Sequence, residues 1–133
     1  MIIVDTGVFV ALFDKSDTHH SRVKGFFARL QEPLITTLPV ITETCYLLNQ
    51  YNKCNFLKTI DAGAVELFAL KPHHFNRELA LREQYADLHI DFADASLKVL
   101  AEALCHGRII TVDRRDFSVY RWANSQTFDN LLF

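Results

Sequence analysis

The sequence predicts an α/β fold, a three-layer α/β/α sandwich around a mostly parallel central sheet. Short apolar runs alternate along the chain with longer segments whose apolar residues recur at helical spacing. This alternation is typical of parallel strands joined by crossover helices. The length of 133 residues fits one domain, and an apolar fraction of 50% is enough to build a core without disulfides. Residues 1–133 are therefore predicted to form a single domain.

The N-terminal part of the chain contains a predicted strand followed by two predicted helices. Residues 1–4 are a short apolar run of the kind found in buried parallel strands. A short helix is expected over residues 8–13. A second helix, capped by Asp17 or Thr18, runs to about Leu30, because its apolar residues fall at helical spacing.

The next segment contains a second predicted strand and two more predicted helices. Residues 34–36 form the strand, and Pro39 lies where proline is tolerated, in the first turn of a helix. We expect that helix to reach about Tyr51. A break is predicted over residues 52–55, followed by another helix over residues 56–68, with Gly63 as an alternative, earlier end of that helix.

The C-terminal half of the chain contains two predicted helices and the third clear strand. Helices are expected over residues 74–87 and 92–106, the second with Asp91 as its N-cap and Gly107 at its C′ position. Residues 108–112 form the third strand. A turn is predicted over residues 113–117, and the tail from about 126 to 133 supplies a last short strand.

Composition limits the classes of protein to which the chain can belong. The formal net charge is −2, with histidine counted as neutral, so overall charge does not predict a nucleic-acid binder. No apolar run approaches the roughly 20 residues that cross a bilayer, and the first residues lack a signal-peptide pattern. The three cysteines, Cys45, Cys54 and Cys105, are widely spaced and are expected to be reduced thiols. These features predict a soluble, cytoplasmic protein.

Four acidic residues fall where the predicted fold brings distant parts of the chain together. Asp5 follows the first strand, Asp113 follows the third, and Glu43 lies early in the helix after the second. Asp94 lies in the first turn of its helix. That helix begins at the carboxyl edge of the sheet, where the strands end, if it runs antiparallel to them. The carboxyl edge of an open parallel sheet is where such folds place their sites. We therefore expect the four carboxylates to converge.

Clustered carboxylates indicate a divalent cation. They repel one another unless a cation or a shared proton neutralises them. Hard oxygen ligands favour Mg²⁺ or Mn²⁺ over zinc. Such an ion polarises a phosphate and activates water, so the predicted chemistry is phosphate-ester or phosphodiester cleavage.

Four motifs in this order resemble those of the PIN-domain ribonuclease family. They are Val4-Asp5-Thr6, Thr42-Glu43, Asp91-Phe92-Ala93-Asp94-Ala95-Ser96-Leu97 and Ile110-Thr111-Val112-Asp113-Arg114-Arg115-Asp116-Phe117. The resemblance implies an endoribonuclease with a four-carboxylate Mg²⁺ or Mn²⁺ site formed by Asp5, Glu43, Asp94 and Asp113. Many bacterial members are VapC-like toxins, often homodimeric and inhibited by an antitoxin protein, so RNA, a second copy and an antitoxin are the partners it implies.

Several neighbouring residues are additional candidates for the same site. Asp91 and Asp116 each lie three residues from a chosen acid and are possible replacements or extra ligands. Thr111, and less directly Thr6, are candidates to orient a metal-bound water or a carboxylate. Each acid taken singly also fits a helix cap or a turn. Arg114 and Arg115 are candidate phosphate contacts, and the candidates to flank the entrance are Lys15, Arg22 and Lys24. Each of these residues fits an ordinary solvated charge at least as well.

Two other functions are compatible with an acid cluster on such a sheet. One is a Mg²⁺-dependent receiver-like or phosphatase-like domain. No lysine follows Lys98, which disfavours a receiver, and the Asp5-Thr6-Gly7 segment lacks the second acid of a haloacid-type phosphatase. The other is a PIN-fold module that binds RNA or protein without catalysis, although the presence of all four acids argues against lost activity.

Overall fold

The computed structural model describes residues 1–123 and 125–133. In chain order its strands are β1 (Ile2–Val4), β2 (Leu34–Thr37), β3 (Val65–Phe68), β4 (Arg108–Ile110), β5 (Arg121–Trp122), β6 (Gln126–Thr127) and β7 (Asp129–Asn130). Five of them form a central parallel sheet with the order β3-β2-β1-β4-β7. The other two, β5 and β6, pair antiparallel in a separate small ribbon.

Helices flank the central sheet and connect its parallel strands. They are α1 (Thr6–Phe13), α2 (His20–Arg29), α3 (Leu38–Leu47), α4 (Gln50–Asp61), α5 (His74–Gln84), α6 (Phe92–Leu104) and α7 (Arg114–Val119). Helix α1 packs against α2, α3 and α4, while α6 packs against α5, α3 and β2. This arrangement confirms the predicted α/β sandwich around a mostly parallel sheet.

The middle of the sheet lies in the core. Every residue of β1 and β2 is buried, and Ile109 and Ile110 of β4 are fully covered. Continuous apolar strands of this kind are expected when helices cover both faces of a parallel sheet. The strand ends are therefore held rigidly, and they fix the backbone from which Asp5 and the residues after β4 project.

The predicted helix from Pro39 to Tyr51 is divided in two in the structure. Helix α3 ends at Leu47, Leu48 is extended, and the side chain of Asn49 caps α4 by accepting a hydrogen bond from the Asn52 backbone N–H at 2.8 Å. The break predicted over residues 52–55 was wrong, because these residues lie inside α4. An asparagine N-cap satisfies a free N–H group of the new helix, and this local bond fixes the boundary.

The helix predicted over residues 56–68 does not reach Phe68, and the alternative of an early end near Gly63 is confirmed. Helix α4 ends at Asp61, and Gly63 adopts a φ of 80°, which favours glycine. Residues 65–68 then form β3, which pairs with β2 along its whole length. The partner of this strand lies some 30 residues earlier in the chain, so local periodicity did not indicate it.

The end of α6 and the segment after β4 also differ from the sequence prediction. Cys105, with φ of 57°, is the left-handed residue that ends α6, and Gly107 is instead packed so closely that a Cβ there would clash with the Trp122 indole. The turn predicted over residues 113–117 is the start of α7. Among the described residues, no helix combines the length and apolar character needed to cross a bilayer.

Candidate active site

A cavity of about 230 Å³ opens at the carboxyl edge of the sheet, and six acidic side chains line it. They come from the end of β1, from α3, from the start of α6 and from the segment that begins α7. Thr6, Gly7, Leu47 and Val112 complete the wall. The acids are Asp5, Glu43, Asp91, Asp94, Asp113 and Asp116.

Asp5 is held at the base of this cavity by two hydrogen bonds. The backbone N–H of Thr6 donates to Oδ1 at 2.7 Å, and the hydroxyl of Thr111 donates to Oδ2 at 2.7 Å. The side chain is buried. Burial raises the pKa of the Asp5 carboxyl to about 6, and the two hydrogen bonds oppose that rise, whereas the charges of Glu43 and Asp113 add to it. Both carboxylate oxygens are thus oriented before any ligand arrives.

Asp94 lies in the first turn of α6 and contacts a tyrosine from a distant part of the chain. The hydroxyl of Tyr120 donates to Asp94 Oδ2 at 3.1 Å. The pKa of the Asp94 carboxyl is raised to about 8, and burial is the main cause. The negative charges of Asp5 and Asp91 contribute to this rise, and the hydrogen bond from Tyr120 opposes it. Without a cation, Asp94 is therefore mostly protonated at neutral pH.

Tyr120 is itself fixed by an aromatic cluster around a buried lysine. Its ring packs edge-on against that of Tyr85, with centroids 5.3 Å apart. The ammonium group of Lys98, one helical turn after Asp94, donates to the Tyr85 hydroxyl at 3.0 Å and to the Arg121 carbonyl oxygen. These bonds tie α6 to Tyr85 at the end of α5 and to Arg121, which directly follows Tyr120. They thereby support the position of the Tyr120 hydroxyl beside Asp94.

Asp113 and Asp116 occupy the start of α7. The side chain of Asp113 caps this helix by accepting a hydrogen bond from the Asp116 backbone N–H at 2.9 Å, and its own N–H donates to Thr111 Oγ1 at 3.0 Å. Burial and the charge of Asp113 raise the pKa of the Asp116 carboxyl. Thr111 therefore links Asp5 to the backbone that positions Asp113.

Glu43 and Asp91 form the side of the cavity nearest α3. Burial is the main cause that raises the pKa of the Glu43 carboxyl, and the charge of Asp91 raises it further. Asp91 is exposed and caps α6 by accepting from the Asp94 backbone N–H at 2.7 Å. The hydroxyl of Thr6 is buried on the wall beside the Glu43 carboxyl, and this interaction opposes the rise in the pKa of Glu43.

The donor set fits a hard divalent cation. In the part of the chain that the structure describes, no three His, Cys, Asp or Glu side chains are close enough together to hold an ion directly. Mg²⁺ usually keeps several waters and takes only one or two carboxylates, so three direct protein ligands are not needed. Burial raises the pKa values of the Asp5 and Asp94 carboxyls, and the charges of neighbouring carboxylates raise them further. A bound cation would favour the charged forms of both groups.

The structure brings every acid named from the sequence to the same cavity, including the two additional candidates. Thr111 contacts Asp5 directly. The tyrosine that contacts Asp94 was not predicted, because Tyr120 lies 26 residues further along the chain and belongs to no acidic motif. Gly7 was also missed as a site residue, and a Cβ there would clash with the Val112 side chain on the cavity wall.

Known proteins with related sequences and structures agree with this architecture. The chain is 28% identical over 124 residues to Ribonuclease VapC26 of Mycobacterium tuberculosis (strain ATCC 25618 / H37Rv), a match that covers 90% of this chain and 92% of that protein. The crystal structure of Mycobacterium tuberculosis VapC20, described as a sarcin-ricin loop cleaving toxin, matches with a TM-score of 0.80. That match covers 86% of this chain and 92% of the other, and at 18% identity it concerns the fold.

The sequence also matches a family model over nearly its whole length. The model is that of the PIN domain, and it covers residues 2–123. This range includes all six acids of the cavity as well as Thr111 and Tyr120. The match removes the receiver-like and phosphatase-like alternatives, since those domains belong to other families. The chain belongs to the PIN domain family.

Proposed function

We propose that the protein is a Mg²⁺- or Mn²⁺-dependent endoribonuclease, and that it acts as the toxin of a toxin–antitoxin pair. The observation that carries the proposal is the convergence of carboxylates from β1, α3, α6 and the β4–α7 segment on one cavity. The names of the relatives, a ribonuclease and an RNA-cleaving toxin, support the same reaction. Asp5, Glu43, Asp94 and Asp113 are the proposed site residues, with Asp91 and Asp116 as additional acids of the same cavity.

The proposed roles follow from how each side chain is held. Asp5 and Asp94 lie deepest and would hold the cation, which when bound would polarise the phosphodiester and activate a water. Thr111 fixes the orientation of Asp5, and Tyr120 fixes that of Asp94. Glu43 and Asp113 would hold coordinated waters or accept protons at the mouth of the cavity. The Thr6 hydroxyl lies on the wall beside Glu43, where it would orient such a water.

RNA cleavage by purified protein tests this proposal. A mixed set of tRNA, rRNA fragments and mRNA would be incubated with the wild type in Mn²⁺, in Mg²⁺ and in chelator. We expect discrete cuts with metal, none with chelator, and a loss of at least about 100-fold in Asp5→Asn, because its oriented carboxylate cannot be replaced. Asp61→Asn, an exposed acid at the end of α4, is the matched control. If the wild type and Asp5→Asn behave alike, the protein is a binding module instead.

We also propose a homodimer, as the family resemblance implies. An apolar groove of about 590 Å³ lies beside the acid cavity, and its walls include Leu38, Tyr46 and Phe92. Leu38 is 61% and Tyr46 86% exposed, and exposed apolar side chains in a group favour a protein contact. We expect light scattering to show a dimer that Tyr46→Glu weakens. A wild-type monomer at micromolar concentration would contradict the proposal.

The antitoxin is the remaining proposed partner. A protein encoded by the neighbouring reading frame would bind this chain and suppress its RNA cleavage. Co-expression should rescue growth that the wild type alone arrests, and Asp5→Asn should arrest growth neither with the neighbour nor without it. Arrest by Asp5→Asn alone would contradict a toxic role based on catalysis.

A further inference from the structure

A second cleft, of about 650 Å³, lies beside α7. It is mixed in character: Arg114, Arg115 and Ser118 supply polar groups, and Phe128 and Phe133 supply aromatic surface. The acid cavity and this cleft share the short helix α7 and the residue before it. Asp113 and Asp116 line the cavity, whereas the two arginines between them line the cleft.

Two guanidinium groups converge on one aromatic ring at this cleft. The Cζ atom of Arg114 lies 4.6 Å from the centroid of the Phe133 ring, and that of Arg22, from α2, lies 4.7 Å from it. Arg22 also donates a hydrogen bond to the Leu132 carbonyl oxygen at 3.3 Å. The two cations are therefore brought from separate elements and oriented by the same short C-terminal segment.

Salt bridges do not neutralise these charges. Within residues 1–123 and 125–133, the arginine salt bridges are Arg77 with Glu102 and Arg108 with Glu32, so Arg22 and Arg114 form none. Arg115 forms no salt bridge either, but its charge acts on the nearby Asp116 carboxyl. Both guanidiniums contact one ring, so they lie within about 10 Å, the Debye length at 0.1 M salt, and repel each other. A phosphate between or beside them would remove this repulsion, since guanidinium groups bind phosphate through paired hydrogen bonds.

The position of the cleft indicates which phosphate it would bind. Consecutive Cα atoms lie about 3.8 Å apart, so Asp113 at the cavity and Arg114 at the cleft are immediate neighbours. This side of α7 is therefore within reach of a nucleic-acid strand that has one phosphate at the acid cavity. The net charge of −2 and the acids themselves give the rest of the site little attraction for a polyanion.

We propose that the cleft lined by Arg114, Arg115 and Phe133, with Arg22 against the same Phe133 ring, binds a backbone phosphate of single-stranded RNA adjacent to the cleaved bond. This inference rests on the proposed ribonuclease function, and it assigns to these residues the binding of the substrate strand. Phe133 orients the two guanidiniums. The chemistry is that of a phosphodiester, so inorganic phosphate is the simplest competitor.

Binding without cleavage tests the cleft apart from the chemistry. A fluorescently labelled 12-nucleotide single-stranded RNA would be titrated with protein in chelator, over a series of NaCl concentrations, with anisotropy as the readout. The variants are Arg114→Gln, the Arg22→Gln/Arg114→Gln pair and Phe133→Leu. Arg29→Gln is the matched control, because Arg29 lies on the same helix as Arg22 but lines a different surface. The two residues are seven positions apart, which is about 10 Å along the helix.

We expect the double variant to weaken binding about tenfold at low salt, the size of a lost charge-assisted contact. The slope of log affinity against log salt should also fall by about 0.7, the value for one phosphate contact on a single strand. Phe133→Leu should weaken binding about threefold and leave that slope unchanged, because the number of charges is the same. Arg29→Gln should match the wild type. Inorganic phosphate should compete with RNA for the wild type more strongly than for the double variant.

Two results would overturn the proposal. One is equal weakening by Arg29→Gln and Arg114→Gln, which would mean diffuse attraction to the whole surface. The other is wild-type affinity and slope in the double variant. Either result leaves the ribonuclease proposal standing if Asp5-dependent cleavage is observed. Conversely, cleft-dependent RNA binding without any cleavage would contradict the ribonuclease proposal alone.

Discussion

The Thr111 hydroxyl donates a 2.7 Å hydrogen bond to Asp5 Oδ2, although the two residues lie 106 positions apart in the chain. The bond is possible because β1 and β4 are parallel neighbours, with Val4 opposite Ile110, so the residues that follow the two strands meet at one edge. Since Thr111 also accepts from the Asp113 backbone N–H, a single hydroxyl sets the relative position of two of the proposed site residues.

Thr111→Val removes this hydroxyl while keeping the volume of the side chain. The hydrogen bond lowers the pKa of the Asp5 carboxyl against the effect of burial. We therefore expect RNA cleavage to fall about tenfold, which corresponds to one buried hydrogen bond of about 1.4 kcal/mol, and the low-pH limb of the activity profile to shift to higher pH. The control is Thr59→Val on α4, whose hydroxyl bonds within its own helix. A pH profile identical to that of the wild type would contradict the role given to Thr111.

Tyr120→Phe removes the hydrogen bond to Asp94 and leaves the aromatic packing with Tyr85 intact. We expect Asp94 to lose its fixed orientation, so that metal affinity and cleavage fall about three- to tenfold, while the melting temperature changes by only a few degrees. Parallel metal titrations and cleavage rates would measure this. Tyr51→Phe, on an exposed tyrosine of α4, should behave as the wild type. Unchanged metal affinity in Tyr120→Phe would contradict the proposed positioning role.

Metal binding should depend on pH in a defined direction. The pKa values of Asp5 and Asp94 are raised to about 6 and about 8 without a cation, so both carboxyls carry protons below these values. A cation binds the deprotonated forms and displaces those protons. We therefore expect the apparent Mn²⁺ affinity to increase from pH 6 to pH 8, with proton release detectable by calorimetry in buffers of different ionisation enthalpy. Affinity that is independent of pH over this range would contradict the prediction.

Glu78 of α5 gives a separate prediction for stability. Its side chain is 3% exposed, and both carboxylate oxygens lack a hydrogen-bond partner among the described residues. Burial raises the pKa of this carboxyl to about 7, from 4.5 in the unfolded chain. An acid with a raised native pKa binds more protons in the native state, so its contribution to stability is lost as the pH rises from about 4.5 to about 7.

Glu78→Gln should remove that pH dependence. The free energy of unfolding of the variant relative to the wild type should increase between pH 5 and pH 8, by at most about 3 kcal/mol. Urea titrations at both pH values would measure it. Glu83→Gln, an exposed acid on the same helix, is the matched control and should show no such change. A constant difference between the wild type and Glu78→Gln across this range would contradict the argument.

The sequence predicted the positions of site residues best where those residues directly follow a strand. Asp5 and Asp113 could be placed at one edge because each follows an apolar strand, and parallel pairing then brings them together. The boundary between α3 and α4 was missed because it depends on one asparagine cap within an otherwise helical stretch. Strand β3 depends on a partner far along the chain, and the contact of Tyr120 with Asp94 depends on packing around Lys98. Local patterns carry no information about such long-range contacts.

We propose that the carboxylates of this cavity form one metal centre. The most direct measurement is thermal melting of the wild type, Asp94→Asn and the control Asp61→Asn in chelator and in increasing Mn²⁺. Binding to the native state alone raises stability by about 2.7 kcal/mol at a hundredfold excess over Kd. We expect Mn²⁺ to raise the melting temperature of the wild type and Asp61→Asn by several degrees and that of Asp94→Asn much less. Equal shifts in all three proteins, or none in the wild type, would contradict the claim.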